Sequence, residues 1–513
     1  MPIVRAVLLA VTLGAAASAA PAPTDYTPAS ISVQELLART RKALGAFDPG
    51  AYRQVTRTTD ASGNVWVATT LTHGTDFRTT VENGGFDWSE GFYEGRSWHR
   101  DYNGLVLPST GYFAQADPFV SALRAVSAQS GDLQLLGIER ADPQRYVVEV
   151  RPGPGLLERR YYDAHTYLPV RVEMTDYDGH ERVWEYGDYR GFYGRTIAQT
   201  IGYEQDGVAL TERSALVSVD RLAPGSYDLS VPPSRALFDL GASATVPIPA
   251  RFTDQGIVVR VSIAGRGLDF LLDSGSSDLL IDPAVARELG MTLAGAHRES
   301  FAGDFMLANA RAPDLSIGPL RAANVAFSTA SFSEQLEEQR IVGLLGADFI
   351  ASGALEVNFA DKSVVLLRAA PADPAAGGWS PLALRLDGGV PLLQATFSGQ
   401  SGYFVADLGA DLSTLYPHYF ARFPNKIPRG MGDEEEMVTI GGRPFGVTHL
   451  TMRDLVLGDW AFGSVQVVVP SASYAQERDI DGLIGRDTLS NFKLLFDYAH
   501  AKLWFYPIAP GAR

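Results

Sequence analysis

Two stretches, IAGRGLDFLLDSGS (263–276) and FSGQSGYFVADLGA (397–410), share one pattern and decide how the second half of the chain is read. Each begins with a strand-like residue pair and a turn glycine, Gly265 or Gly399. An apolar strand follows and ends in Asp-x-Gly, at Asp273-Ser274-Gly275 and Asp407-Leu408-Gly409. A proline comes ten residues after each aspartate, Pro283 and Pro417. The likeness continues downstream, where DLSIG (314–318) pairs with DLVLG (454–458) and GLLGAD (343–348) with GLIGRD (482–487). Each block closes on a strand pair, Leu355–Phe359 with Val364–Leu367 and Leu494–Tyr498 with Leu503–Phe505. A duplicated unit of this length predicts two homologous β lobes, 245–368 and 380–508. Pro/Ala/Gly-rich linkers precede them at Leu229–Pro249 and Ala369–Pro381.

An apolar strand ending in Asp-x-Gly presents a carboxylate at the lip of a buried sheet, and the small glycine lets a second backbone come close. Two such half-sites facing each other would bring Asp273 and Asp407 within about 3 Å, where both cannot ionise at once. The pair would share a proton, one member taking a proton from water while the other polarises a carbonyl. Asp239-Leu240-Gly241 has the same tripeptide in a linker, without the preceding strand or the later glycine motif.

These blocks resemble two retropepsin-type lobes fused in one chain, a compact relative of the pepsin-like aspartic proteases. Asp273-Ser274-Gly275-Ser276 is similar to the family's active loop, and Gly482-Leu-Ile-Gly485-Arg486-Asp487 to the motif that braces it. The resemblance covers Thr245 to Pro507. It implies an aspartic endopeptidase with Asp273 and Asp407 as the catalytic pair and Ser274 and Ser276 orienting Asp273. Gly275 and Gly409 would allow the loops to approach, and Gly346 and Gly485 would brace them. A peptide or unfolded protein is the implied substrate, held as an extended strand between the lobes. The second loop carries Leu408 where the family has a hydroxyl that ties the lobes, and Ala410 where a serine would stabilise the carboxylate. A working pH less acidic than that of pepsin-like enzymes is therefore expected. The hairpin over the first loop, within His297–Asn309, carries Phe301 and Phe305 and no tyrosine, which is the retroviral pattern. The second, Met437–Val447, has no tyrosine either. Between the shared elements, Asp433–Glu436 reads as a solvated acidic loop.

Outward from the repeat, residues 31–230 form a different unit. Ser32 and Glu35 make a capping box ahead of Val33, Leu36, Leu37 and Leu44 on one face, and Gly45 stops the helix. A second helix is expected from Asp117-Pro118 to about Ser127. Strands are expected at Asn64–Thr70, Gln144–Arg151, Glu158–Tyr162, Pro169–Met174, Val183–Tyr189 and Ala209–Val219, a meander curved around the helices. With Asp163–Glu173 followed by Tyr186–Tyr189, this layout is similar to the half-open barrels of LolA/LolB-like periplasmic lipoprotein carriers. That resemblance implies a lipid or acyl chain as ligand. Trp66, Trp88, Trp98 and Trp184 are expected to fill the core of this unit.

The chain begins Met1-Pro-Ile-Val-Arg5, followed by an apolar run Ala6–Ala17 and Ala17-Ser18-Ala19, the layout of a signal peptide over 1–19. The run of about 12 residues is well short of the roughly 20 needed to span a bilayer, so no transmembrane anchor is expected and the protein should be periplasmic or secreted. Its 513 residues suit several domains, and 46% apolar with 20% charged residues describes a folded chain. The formal charge of -16 supplies no basic footprint for nucleic acid. The absence of cysteine excludes disulfides and thiolate sites. Eight scattered histidines give no metal motif, and no cofactor fingerprint occurs. The expected fold is mainly β, a half-open barrel-like domain with one or two helices followed by the bilobal protease. The alternatives are a peptide-binding relative without catalysis, a carrier acting through 31–230, and a dimer pairing Asp273 with its own copy.

Overall fold

In the computed structural model the described residues are 26–46, 50–60, 63–108, 133–140, 143–151, 157–175, 181–205, 208–299, 305–332, 340–423, 434–438, 444–470 and 480–508. The expected signal peptide and the expected helix at Asp117–Ser127 lie outside them. The chain is mainly β. Its described residues form two compact units, one of 26–98 with 133–231 and the other of 99–108 with 232–508.

The first unit is one long antiparallel sheet. Its strands run in order from Tyr26–Thr27 and Leu133–Glu139 through the meander Arg145–Val150, Leu157–Asp163, Pro169–Thr175 and Glu181–Gly187. Thr200–Gln205 and Val208–Leu222 then lead to Ala51–Asp60 and its hairpins. The long strand Val208–Leu222 bulges twice against its partner, near Thr211–Arg213 and Leu216–Ser218, which bends the sheet. Among the described residues no pairing joins the sheet's two ends, so the barrel stays open there.

The helix Val33–Leu44 forms where its cap is read. Ser32 Oγ accepts from Glu35 N–H at 3.1 Å, and Gly45 ends it at φ 65° with its N–H on the Arg41 carbonyl. The Glu35 carboxylate turns to Arg39 at 2.5 Å. Leu36 and Leu37 bury the helix against Tyr146, Val148 and Tyr162. Of the four tryptophans expected in the core only Trp98 is fully buried. Trp66, Trp88 and Trp184 are half-buried, and Trp184 stacks on Tyr203 at 5.3 Å.

The second unit contains the duplicated lobes in matching strand order. In the first lobe Gly256–Ile263 pairs with Arg266–Leu272, which runs parallel to Ile341–Leu345. Leu280–Ile281, Leu320–Thr329, Phe305–Ile317 and Leu293–Glu299 follow, and Ala250–Thr253 pairs on the other side of Gly256–Ile263. In the second lobe Val390–Phe397, Gln400–Ala406, Gly482–Ile484, Thr414–Leu415, Trp460–Pro470, Pro444–Leu457 and Glu434–Val438 repeat that order. Glu434–Glu436, read from sequence as a loop, is part of a strand paired with Gly446–Thr448, because the flanking hairpin supplies ladder partners. The repeated prolines open the short helices Pro283–Glu288 and Pro417–Arg422, where their missing N–H has no intrahelical role.

A six-stranded sheet joins the lobes. Thr245–Ile248, Ser363–Leu367 and Ala354–Asn358 from the first side meet Phe492–Asp497, Lys502–Pro507 and Ser380–Asp387 from the second, with Leu355 opposite Phe496 at the centre. Part of the stretch read as a linker is thus structural: Val246 and Ile248 are buried strand residues. Phe238, 1% exposed, packs edge-on against Phe349 at 6.0 Å. Burial of apolar side chains on both sides of this sheet fixes the lobes as a single body.

Candidate active site

Asp273 and Asp407 sit just past the ends of equivalent strands, each held by the same backbone bond to its own lobe. Asp273 N–H donates to the Leu345 carbonyl and Asp407 N–H to that of Ile484, both at 3.0 Å. The carboxylates are 3% and 2% exposed. Each also accepts from the glycine two residues on, Gly275 N–H to Asp273 Oδ1 at 2.8 Å and Gly409 N–H to Asp407 Oδ1 at 2.7 Å. Ala410 N–H reaches Asp407 Oδ1 at 3.2 Å.

The two loops are pressed together at their glycines. A Cβ on Gly275 would lie 2.7 Å from Asp407 Oδ2, and one on Gly409 would lie 2.6 Å from Asp273 Oδ1. Any side chain there would displace a carboxylate, so glycine is required by the close approach itself. The Asp273 carboxyl is pushed well above its usual range, first by burial and then by the charge and hydrogen bond of Asp407. Burial also raises Asp407, opposed by the N–H groups of Gly409 and Ala410 and by the bond to Asp273.

The exposed Asp239 shows what the tripeptide does alone. Gly241 N–H bonds Asp239 Oδ1 at 2.8 Å, the same bond as at Asp273 and Asp407, though Gly241 alone of the three glycines stands at a positive φ, 58°. The turn is local; burial and an opposing carboxylate come only from the fold.

Ser274 and Ser276 act differently from the expectation that both orient Asp273. Ser274 Oγ crosses to the other lobe, donating to the Ala406 carbonyl at 2.6 Å and accepting from Leu408 N–H at 2.9 Å. Ser276 Oγ donates to the Asp278 carbonyl at 2.9 Å, and its backbone N–H is what favours the Asp273 carboxylate. The hydroxyl missing at Ala410 therefore has no counterpart on Asp273. Burial, and no missing hydroxyl, is the first cause that raises both carboxyls. Leu408, fully buried, joins the apolar core, so the tie between loops is one-sided. Ser274→Ala would strand the buried Leu408 N–H and Ala406 carbonyl. A loss of about 2–3 kcal/mol in chemical unfolding is expected.

Gly346 and Gly485 lie behind the loops. A Cβ on Gly346 would meet the Asp278 and Ser276 carbonyl oxygens at 2.3 and 2.5 Å, and one on Gly485 the Leu412 backbone carbon at 2.7 Å. The next residues tie back to the loops, Ala347 N–H to the Ser276 carbonyl at 3.0 Å and Arg486 N–H to that of Ala410 at 2.9 Å.

Several supporting contacts escaped the sequence reading, which quoted Arg486 and Asp487 only within the bracing motif. Arg486 pairs with Asp411 and reaches the Asp254 carbonyl of the first lobe at 3.3 Å. Burial pushes its guanidinium down to about 10, against the pull of Asp407. Asp487 accepts the N–H and hydroxyl of Ser413 at 3.0 and 2.8 Å. Tyr498, 4% exposed, lies within electrostatic reach of both catalytic candidates, and its hydroxyl is raised by burial first and then by them. Only the pairing Gly-Arg-Asp with Asp-x-Gly-x-Asp hinted at the first of these. The tip of the hairpin over the first loop, 300–304 with Phe301, lies outside the described residues. Among the described residues no group of three metal-ligating side chains occurs, and no helix is long and apolar enough to cross a membrane.

Comparison with known proteins follows this geometry. Residues 259–349 match the family described as aspartyl protease. No curated protein matches the chain in sequence. Among solved structures, an aspartic proteinase from Irpex lacteus is similar over 53% of this chain and 100% of its own, at 13% identity and a TM-score of 0.33. A LolA-superfamily protein from Nitrosomonas europaea is similar over 38% of this chain and 95% of its own, at 14% identity and a TM-score of 0.29. The two resemblances drawn from the sequence recur here.

Proposed function

We propose that this protein is an exported aspartic endopeptidase in which Asp273 and Asp407 activate a water against the peptide carbonyl. The observation that carries this reading is the reciprocal packing of two buried carboxylates, each against the glycine of the opposite loop. Such a pair holds one proton over a range of pH, because two carboxylates at contact cannot both be charged. The Arg486 charge and the N–H groups of Gly409 and Ala410 favour the Asp407 carboxylate, so Asp407 is the base and Asp273 the holder of the proton.

Asp407 takes a proton from water as the water oxygen bonds the carbonyl carbon, and Asp273 gives its proton to the carbonyl oxygen. The tetrahedral species collapses with cleavage of the C–N bond as Asp407 passes its proton to the leaving nitrogen and a hydroxyl of the diol returns one to Asp273. Export rests on the charged, apolar and small-residue leader over 1–19.

The test is cleavage of a mixed peptide library by the full chain from pH 3 to 8. A bell-shaped profile is expected, with its optimum above about pH 4, since burial raises both carboxyls. The Asp273→Asn variant should be silent throughout. Cleavage that survives this substitution would end the reading.

A further inference from the structure

Segment 99–108 lies outside both repeats, yet its side chains complete the first lobe. Asn103 pairs with the strand residue Ala326 as another strand would. Its Oδ1 accepts from Ala326 N–H at 2.8 Å, and its Nδ2 donates to the Ala326 carbonyl at 3.0 Å. The same Nδ2 donates to Asp348 Oδ2 at 3.1 Å. Asp101 Oδ1 accepts the N–H groups of Asn103 and Leu105 at 2.9 and 2.8 Å and so shapes the segment.

The repeat shows why the first lobe needs this help. In the second lobe Asp487 is satisfied by Ser413. The matching pair in the first lobe is Asp348 and Leu279, and Leu279 has no hydroxyl. Asp348, 3% exposed, takes its side-chain donor from Asn103 instead. Its other oxygen, Oδ1, and Asp101 Oδ2 are both shut off from water with no hydrogen-bond donor, and both carboxyl groups lie on Asn103, Asp101 through its N–H and Asp348 through its Nδ2. A buried carboxyl oxygen with no donor, beside a second carboxylate, is held most favourably as the protonated acid, which can donate to its neighbour.

We propose that segment 99–108 is a proton-dependent brace on the first lobe. Asp348 keeps a proton and donates it to Asp101, which holds the segment against the lobe and steadies loop 276–279; losing the proton loosens both. The link to the loop is short, since Ala347 N–H bonds the Ser276 carbonyl next to Asp348. Only the statement that this loop carries a catalytic group, Asp273, rests on the proposed function.

The surroundings favour that proton. Burial, then Asp101, then Asp278 push the Asp348 carboxyl well up, against the pull of Asn103. Asp278 faces the pair from the active loop, with Oδ2 on Ser328 Oγ at 3.3 Å. On the segment itself, burial lowers His99 while Asp101 opposes it and the Arg100 charge adds to the lowering. From the incoming chain, Arg235 holds the segment by its N–H on the Gly104 carbonyl at 2.8 Å. A folded carboxyl raised above its unfolded value binds its proton more tightly. The brace is therefore fully held below the ordinary carboxylate range and is lost as pH rises through the raised value.

Hydrogen exchange of the full chain tests this without any cleavage assay. Rates corrected for intrinsic exchange are compared between about pH 5 and pH 8. Protection of the Leu105, Val106 and Ala326 amides is expected to fall by about tenfold or more in the wild type, while Gly256–Ile263 stays protected. In Asp101→Asn the amide donates to the Asp348 carboxylate, so protection should be flat with pH. Asn103→Ala should lower it at every pH. A flat wild-type profile overturns the proposal, as does an Asp101→Asn profile that falls like the wild type. Should Asp101→Asn fail to fold, the wild-type series decides alone. Because cleavage is not read, an inactive protein with a pH-sensitive brace would overturn the catalytic reading and leave this one standing.

Discussion

Asp407→Asn is expected to lower kcat/KM for peptide cleavage by about 10³-fold or more while leaving the fold intact. The residue is the base of the proposed reaction, and an amide cannot take a proton from water. The substitution keeps the local structure because Asn retains the oxygen that accepts from Gly409 and Ala410 N–H. Stability should move in the opposite direction from activity. Burial raises the Asp407 carboxyl, so its folded form favours the proton and the wild type loses stability as pH rises through the raised value. Asn has no charge to bury, so thermal unfolding at pH 7.5 should occur at the same or a higher temperature than in the wild type. At pH 4.5 the two should differ less. Equal inactivation by Asp273→Asn and Asp407→Asn identifies an intramolecular pair. Full activity in Asp407→Asn would make the second lobe structural and require Asp273 to pair with a second copy.

Gly346→Ala should be among the most destabilising single-methyl changes in the molecule. Its Cβ would fall 2.3 Å from the Asp278 carbonyl oxygen and 2.5 Å from that of Ser276. Both are backbone atoms, so no side-chain rotation relieves the clash. The loop must move, taking with it the Ala347–Ser276 hydrogen bond and the position of Asp273. A cost of about 2–4 kcal/mol is expected from overpacking and the lost bond. It is measurable as a drop in the denaturant midpoint, with activity falling even where the variant stays folded. Gly463→Ala is the matched control, since its Cβ would meet nothing within 4 Å. That change should stay within about 0.5 kcal/mol. A Gly346→Ala protein as stable as this control would show that the loop has slack the packing does not suggest.

The duplicated lobes were legible because apolar strands, turn glycines and Asp-x-Gly recur in register, and strand pairing converts such order directly into sheet topology. The helix at Val33–Leu44 was legible for a similar reason: its cap and its stop are contacts between neighbours in sequence. The roles of Ser274 and Ser276 were not, because a hydroxyl goes wherever an acceptor lies. The acceptors here are the Ala406 carbonyl in the other lobe and the Asp278 carbonyl in a turn. Trp98 is buried as expected, whereas Trp66, Trp88 and Trp184 are half-buried because an aromatic residue on a sheet can pack on a neighbour without entering the core, as Trp184 does on Tyr203.

By itself the sequence determined the mainly β character, the two matching lobes and the two aspartates at equivalent turns. Each of these follows from local chemistry: strand propensity, glycine at tight turns, and the carboxylate accepting its own loop's N–H groups. Asp239, Asp273 and Asp407 make that same local bond at 2.8, 2.8 and 2.7 Å. Their glycines differ locally, Gly241 alone standing at a positive φ of 58°, and the tertiary structure buries the other two aspartates and sets each against the other's glycine. The same holds for Asp348, whose partners Asn103 and Asp101 come from a distant segment that no repeat predicts. Burial and long-range contact decide the charge state of a carboxyl, and neither is written in the residues beside it.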